Sequence, residues 1–127
     1  MAGILGKKIR MTQIFADDGR ALPVTIISAG PCYVTQIKTM KTDGYDAVQI
    51  GYGELKEKHV KMPQRGQTKK AGLQPLKYFK EFAPFVNREV KVGDELGVNI
   101  FAEGETITIS GKSKGRGFQG VMKRHGF

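Results

Sequence analysis

The 127-residue sequence predicts one small, mainly β domain with a basic insertion and a basic C-terminal arm. Short β-branched runs alternate with glycine, proline and aspartate at intervals typical of small all-β barrels. Apolar residues make up 39% of the chain, which supports one modest core. The net charge of +9 is concentrated in two segments, so we expect these segments to attract polyanions such as nucleic acid.

Strands are the main elements predicted in the first half of the chain. They are expected at residues 22–28, 33–39 and 45–52. The Asp17-Asp18-Gly19 cluster predicts a hairpin turn before the first of them, because glycine accepts the positive φ that such turns need. Gly30-Pro31 and Asp43-Gly44 mark the next two junctions in the same way.

Alternating apolar residues predict further strands late in the chain. One set is Leu96, Val98 and Ile100, and the other is Ile107 and Ile109. The β domain is therefore expected to span residues 1–109.

The basic insertion is expected at about residues 54–80, which carry eight basic and two acidic groups. Pro63 is suited to open a short helix at residues 64–71, and Gly72 is suited to close it in the left-handed conformation. A solvated surface face is the alternative interpretation of this charge.

The arm, residues 110–127, contains five cations, five glycines and no acidic residue. Such a segment cannot build an apolar core. Its cations are suited to neutralise phosphates, its glycines permit close approach to RNA, and Phe118, His125 and Phe127 offer stacking faces. The alternative is a disordered basic tail without a defined partner.

No catalytic, cofactor or metal site is predicted. Gly115–Gly120 matches a dinucleotide fingerprint, but only seven residues follow it, which leaves no room for a crossover helix. Thr106 stands where a phosphate-binding loop ending in Gly111-Lys112-Ser113 needs its first glycine. Cys32 has no evident histidine base and is expected to be a small buried thiol. We therefore expect a protein that is not an enzyme and has no small-molecule substrate.

The cytoplasm is the expected compartment. The apolar run at the N-terminus is too short for a signal peptide, and no stretch approaches the length needed to span a bilayer. No membrane partner is therefore expected.

Four stretches resemble the universal large-subunit ribosomal protein L-three family, in its bacterial form. They are residues 3–15, 34–38, 43–49 and 111–118, the last followed by Lys123-Arg124. Arg10 departs from the pattern, because family members usually have glycine there. The resemblance covers essentially the whole chain and is most specific in the arm.

The resemblance implies a six-stranded barrel of the type found in translation factors. It also implies binding to large-subunit ribosomal RNA, contacts with neighbouring ribosomal proteins, a role in early subunit assembly and a place near the peptidyl transferase centre of a bacterial ribosome. Family members are longer, so we expect this sequence to be an N-terminal portion, with part of its apolar surface uncovered. A free regulatory RNA-binding module with a similar barrel is the alternative function.

The expected RNA contacts fall in three places along the chain. On the β domain and its insertion they are Lys7, Lys8, Arg10, Lys61, Arg65, Lys69 and Lys70. On the arm, which is expected to be the principal contact, they are Lys112, Lys114, Arg116, Gly117, Phe118, Lys123, Arg124 and His125.

Overall fold

A computed structural model describes residues 2–86 and 88–127, so positions 1 and 87 of the predicted domain lie outside the described residues. The strands are β1 (Gly6–Phe15), β2 (Ala21–Ala29), β3 (Cys32–Lys38), β4 (Ala47–Glu54), β5 (Leu76–Phe82) and β6 (Glu95–Leu96). The α-helices are α1 (Met40–Asp43), α2 (Met62–Lys70) and α3 (Val121–His125), and short 3₁₀ helices occupy Glu57–His59 and Val98–Ile100. The prediction of a mainly β chain is confirmed.

Strands β1 and β2 form an antiparallel hairpin of their own. Its turn lies at the predicted place, where Gly19 has a φ of +81° and its N–H donates to the carbonyl oxygen of Ala16 at 2.8 Å. A β-bulge interrupts the register between Lys8 and Arg10. All ten residues of β1 are exposed, so this hairpin buries little of its own surface.

The other four strands form one antiparallel sheet in the order β5-β4-β3-β6. One face of this central sheet carries the core, which consists of Cys32, Val34, Val48, Ile50 and Leu96. Register explains the grouping, because Val34 pairs with Ile50 and Cys32 pairs with Leu96, and directly paired residues point to the same face. The chain before β1 covers this core with Ile4 and Leu5. The end of β5 adds Phe82, and the chain after β5 adds Phe85, Val90 and Ile100.

Gly51 in β4 marks a tight contact beside the sheet. A Cβ atom at this position would overlap Leu76 Cδ1 and would lie 3.1 Å from Thr35 Cγ2. Glycine is therefore needed here because the space is already filled, since interiors are packed without spare volume.

Of the two late strands that were predicted, the first is confirmed only at Leu96 and the second is wrong. Leu96 lies in the two-residue strand β6, Val98 and Ile100 lie in a 3₁₀ helix, and Ile107 and Ile109 lie outside any strand. Apolar alternation indicates a strand only where another strand can pair with its backbone, and no such partner faces residues 107–109 in the described part of the chain.

The prediction of six strands in a barrel, possibly incomplete in this chain, is met in the number of strands, and no closed barrel is formed within the described residues. Six strands are present, but within the described residues they make a hairpin and a separate four-stranded sheet that do not close. Val98, Ile107 and Ile109 are at least half exposed, as expected for a chain that leaves apolar surface uncovered.

Candidate nucleic-acid interface

Helix α2 lies in the basic insertion, and local sequence signals define both of its ends. Pro63 lies in its first turn, where a missing N–H removes no helical hydrogen bond. At its C-terminus Gly72 has a φ of +70°. The N–H groups of Gly72 and Leu73 donate to the carbonyl oxygens of Lys69 and Thr68, each at 3.0 Å, which is the Schellman pattern. The predicted helix is confirmed, although it begins at Met62 rather than at residue 64.

A polar network fixes α2 against the central sheet. Gln67 Nε2 donates to Gln49 Oε1 at 2.6 Å, and Thr35 Oγ1 donates to the same oxygen at 2.9 Å. The next residue, Thr68, is only 1% exposed, and its hydroxyl donates to the carbonyl oxygen of Gln64 at 3.1 Å. Positions 64, 67 and 68 therefore form the inward side of the helix, because residues three and four apart share a face.

The outward side of α2 is a cationic surface, which we call the basic helix face. Lys61, Arg65 and Lys69 follow one another at intervals of four residues, Lys70 lies beside them, and all four are exposed. In the described part of the chain the ion pairs are Arg20–Asp18 and Lys38–Glu81, so none of these four cations has an acidic partner. Their charge is available to an external anion.

The cations of the hairpin are exposed as well, and the β-bulge decides where they point. Lys7 pairs with Ser28, Lys8 with Ile27 and Arg10 with Ile26. Because neighbouring residues of β2 point to opposite faces, the bulge places Arg10 on the same face as Lys7 and opposite to Lys8. A regular strand would have placed Arg10 beside Lys8.

The arm carries the remaining predicted contacts, and all of them are exposed. Gly117 has a φ of +68°, and the side chain of the next residue, Phe118, is fully exposed. Sequence reasoning did not predict α3, which begins after Gly120 and ends at Gly126 in the left-handed conformation. Its last turn holds Lys123 and Arg124, whose positive charge a helix C-terminus favours, together with His125.

Lys38, which is not among the predicted RNA contacts, takes part in hydrogen bonds within the fold. Lys38 Nζ donates to Tyr45 Oη and Glu81 Oε1, each at 2.9 Å, and Tyr45 Oη donates to Glu81 Oε2 at 2.7 Å. The hydrogen bonds that Lys38 donates to Tyr45 and Glu81 raise the pKa of Lys38. Those from Lys38 and Tyr45 hold the pKa of Glu81 below its usual range. This cluster contrasts with the basic helix face, whose cations have no such partner in residues 2–86 and 88–127.

Other chemistry is limited in the residues that the structure describes. Cys32 is buried with its Sγ donating to the carbonyl oxygen of Leu5 at 3.1 Å, and burial raises the pKa of its thiol. The expectation of a small buried thiol is confirmed. Across residues 2–86 and 88–127 no group of three or more His, Cys, Asp or Glu side chains is placed to hold a metal ion. No helix in these ranges has the length and apolar character required to cross a membrane.

The surface therefore offers three sets of exposed cations, on the hairpin, on α2 and on the arm, rather than one pocket. Sequence reasoning identified these cations but missed Gly66, an exposed glycine inside α2, and the Gln49–Gln67 contact behind the helix. The glycine carried a signal, since glycine within a helix is unfavourable by about 1 kcal/mol relative to alanine.

Comparison with known proteins supports a ribosomal relationship, although no protein-family model matches the chain. Large ribosomal subunit protein uL3 of Prochlorococcus marinus strain MIT 9515 is 54% identical over 125 residues, which are 98% of this chain and 58% of that protein. Its namesake from Brachyspira pilosicoli is 53% identical over all 127 residues, again 58% of that protein. That from Carboxydothermus hydrogenoformans is 50% identical over 125 residues, 60% of its length.

The chain thus spans somewhat more than half the length of these relatives. The similarity extends over the whole of this sequence and confirms the resemblance seen in its four motif stretches. The chain is therefore homologous, over its whole length, to part of the large ribosomal subunit proteins named uL3.

Proposed function

We propose that this chain acts as a structural constituent of the large ribosomal subunit and binds large-subunit ribosomal RNA. The observation that carries the proposal is the set of exposed cations on the hairpin, on α2 and on the arm that have no acidic partner among the described residues. Phosphate groups are the natural partners of such cations, and folded RNA presents many of them in fixed positions. The names of the relatives point to the same particle.

The three cationic surfaces are suited to different kinds of RNA contact. On the hairpin and α2 the cations stand on regular elements, so these surfaces suit a rigid fit to the shape of an RNA helix. The arm has exposed glycines and an exposed aromatic ring at Phe118, which suit close approach to the ribose-phosphate chain and stacking on an unpaired base. We therefore assign the principal RNA contact to residues 110–127, with residues 1–109 as the supporting domain.

The two sheets are proposed to be parts of a translation-factor-type barrel. Support comes from the hairpin, where large apolar side chains stay 37% to 72% exposed: Ile9, Met11, Ile14, Phe15 and Ile26. Monomeric proteins rarely leave such a surface open. Further strands of a longer uL3-type protein would cover it.

In this role the protein works without catalysis, in the cytoplasmic ribosomes of a bacterium. It supports early subunit assembly and the region around the peptidyl transferase centre, beside neighbouring ribosomal proteins. Cosedimentation with large subunits at moderate and high salt tests this assignment. Protein integrated into folded RNA remains bound at high salt, whereas complete release at moderate salt would indicate a free regulatory module instead.

The arm assignment has a quantitative test in the salt dependence of binding to protein-free large-subunit ribosomal RNA. Five phosphate contacts would contribute about −4 to the slope of log affinity against log salt, taking roughly 0.7 to 0.9 per contact. A chain ending at Ser110 should lose that contribution. Arg116→Ala should lower the magnitude of the slope by about one.

Arg20→Ala is the matched control, because Arg20 already pairs with Asp18 in the hairpin turn. Its salt slope should equal that of the unmodified chain. An unchanged slope after removal of the arm would contradict the assignment and would move the main contact to residues 54–80.

A further inference from the structure

Gly66 lies in the interior of α2, yet no contact within the protein requires a glycine there. Its φ is not positive, and a Cβ atom built on it would have no atom within 4 Å apart from the neighbouring backbone of its own helix. Gly51 differs in this respect, because packing excludes a side chain there. Glycine is the least favoured helix residue apart from proline, so its presence at position 66 has no explanation in local conformation or internal packing.

The surroundings of Gly66 indicate what the missing side chain leaves room for. Its nearest neighbours on the helix surface are Met62 and Pro63, four and three residues before it, and Lys69 and Lys70, three and four residues after it. Arg65 directly precedes it, and all of these residues are exposed. The absence of a side chain therefore forms a shallow notch in the basic helix face, with cations on its rim.

We propose that the notch at Gly66 is where the RNA sugar–phosphate backbone lies directly against the backbone of α2. The inference rests on the proposed RNA-binding function and deepens it by assigning a specific role to one uncharged residue. A polyanion is the occupant that the charge favours, because the rim cations have no acidic partners in the described residues. Glycine is the residue that permits a ligand to approach a backbone this closely.

The helix is held in an orientation that keeps the notch outward. Gln67, the next residue, is bonded to Gln49 of the central sheet at 2.6 Å, and the buried Thr68 follows it. Successive helix positions are about 100° apart, so with 67 and 68 facing the sheet, position 66 lies about 150° from the midpoint between them and faces outward. The Gln67–Gln49 contact is thus a positioning contact for the notch.

Gly66→Ala and Gly66→Gln separate this role from a role in folding, because the two readouts should change in opposite directions. Both substitutions favour the helix, so the melting temperature of the full chain should rise by roughly 2 to 5 °C. Affinity for protein-free large-subunit ribosomal RNA should fall, by about fivefold for alanine and by tenfold or more for the longer glutamine. The salt slope should stay unchanged, because no cation is removed.

Two controls accompany these variants. Gly97→Ala adds the same methyl group at another position with nothing within 4 Å, outside α2, and should leave RNA affinity unchanged. Arg65→Ala removes a rim cation and should lower the magnitude of the salt slope by roughly 0.7 to 0.9.

The possible results are distinct. Unchanged RNA affinity in both Gly66 variants, with the unmodified chain binding normally, would overturn the notch and leave the proposed function standing. A fall in melting temperature for Gly66→Ala would also overturn it, because the glycine would then have a role in folding. Absence of binding by the unmodified chain would overturn the proposed function, and the notch with it.

Discussion

The central sheet and the β1–β2 hairpin are built from similar sequence, yet they differ in how much they bury. Both consist of β-branched and apolar runs separated by turn residues. Ile50 in the central sheet is completely buried, whereas Ile14 in the hairpin is 52% exposed. The difference shows that an apolar strand pattern specifies a strand but does not by itself supply the elements that cover it.

Coverage comes from segments that return across the central sheet. The chain before β1 and the chain after β5 lie over its core face, and α2 is bonded to Gln49 and covers part of the opposite side. The hairpin receives no such segment within residues 2–86 and 88–127. One side-chain link joins the two, since Tyr52 Oη donates to the carbonyl oxygen of Ser28 at 3.4 Å. Stability should therefore reside mainly in the central sheet.

The largest expected difference in the free energy of unfolding is between truncation of an isoleucine in the central sheet and truncation of one in the hairpin. Ile50→Ala leaves a cavity in a closed core, and we expect the free energy of unfolding to fall by about 2 to 5 kcal/mol. Ile14→Ala removes a half-exposed side chain, and we expect a loss below about 1 kcal/mol. Urea titration followed by circular dichroism measures both. Equal losses would show that the hairpin is as well packed as the sheet.

Addition of one methyl group at Gly51 should have the next largest effect. Gly51→Ala forces Leu76 and Thr35 to move, and overpacking of this kind costs about 1 to 3 kcal/mol. Gly111→Ala is the matched control, because a Cβ atom there meets nothing within 4 Å, and its effect should stay within about 0.5 kcal/mol. If the two variants melted at the same temperature, the tight packing beside β4 would be contradicted.

The sequence was most informative where structure depends on near neighbours. The strands around Val24, Val34 and Ile50 and the helix between Pro63 and Gly72 were all expected, because alternation, proline and glycine act within a few residues. The hydrogen bond between Gln67 and Gln49 was not expected, because it joins side chains eighteen positions apart in the sequence. The strand expected at Ile107 failed for the related reason that pairing requires a partner elsewhere in the chain.

In the candidate interface, too, the sequence predicted some features and missed another. Exposed cations such as Lys69 and Arg116 were predicted by charge alone, because unpaired lysine and arginine side chains are rarely buried. Sequence reasoning did not predict that the bulge in β1 places Arg10 on the side of Lys7, because that depends on strand register.

The smallest expected effect concerns the Lys38–Tyr45–Glu81 cluster, which joins β3 and β5 at the surface of the central sheet. Because the folded state holds the pKa of Glu81 below its usual value near 4.5, its charge contributes stability above that pH. The contribution is lost as the pH falls through the lower, folded-state pKa. Lys38 has a raised pKa, so its own contribution is complete everywhere below about pH 10 and does not vary in acid. The acid dependence of the cluster therefore belongs to Glu81.

Glu81→Gln keeps one of the two acceptor oxygens, replaces the other with an NH2 group and removes the charge. We expect the unmodified chain to melt slightly above this variant from neutral pH down to about pH 5, and the difference to shrink below the usual glutamate pKa near 4.5. The difference should also shrink in high salt, because solvent and ions screen a pair at the surface. Thermal melts of both proteins between pH 3 and pH 8 measure it. If the difference in melting temperature persists at the lowest pH, Glu81 stabilises the sheet through its shape and hydrogen bonds. Its charge would then contribute nothing to the difference in stability between the sheet and the hairpin.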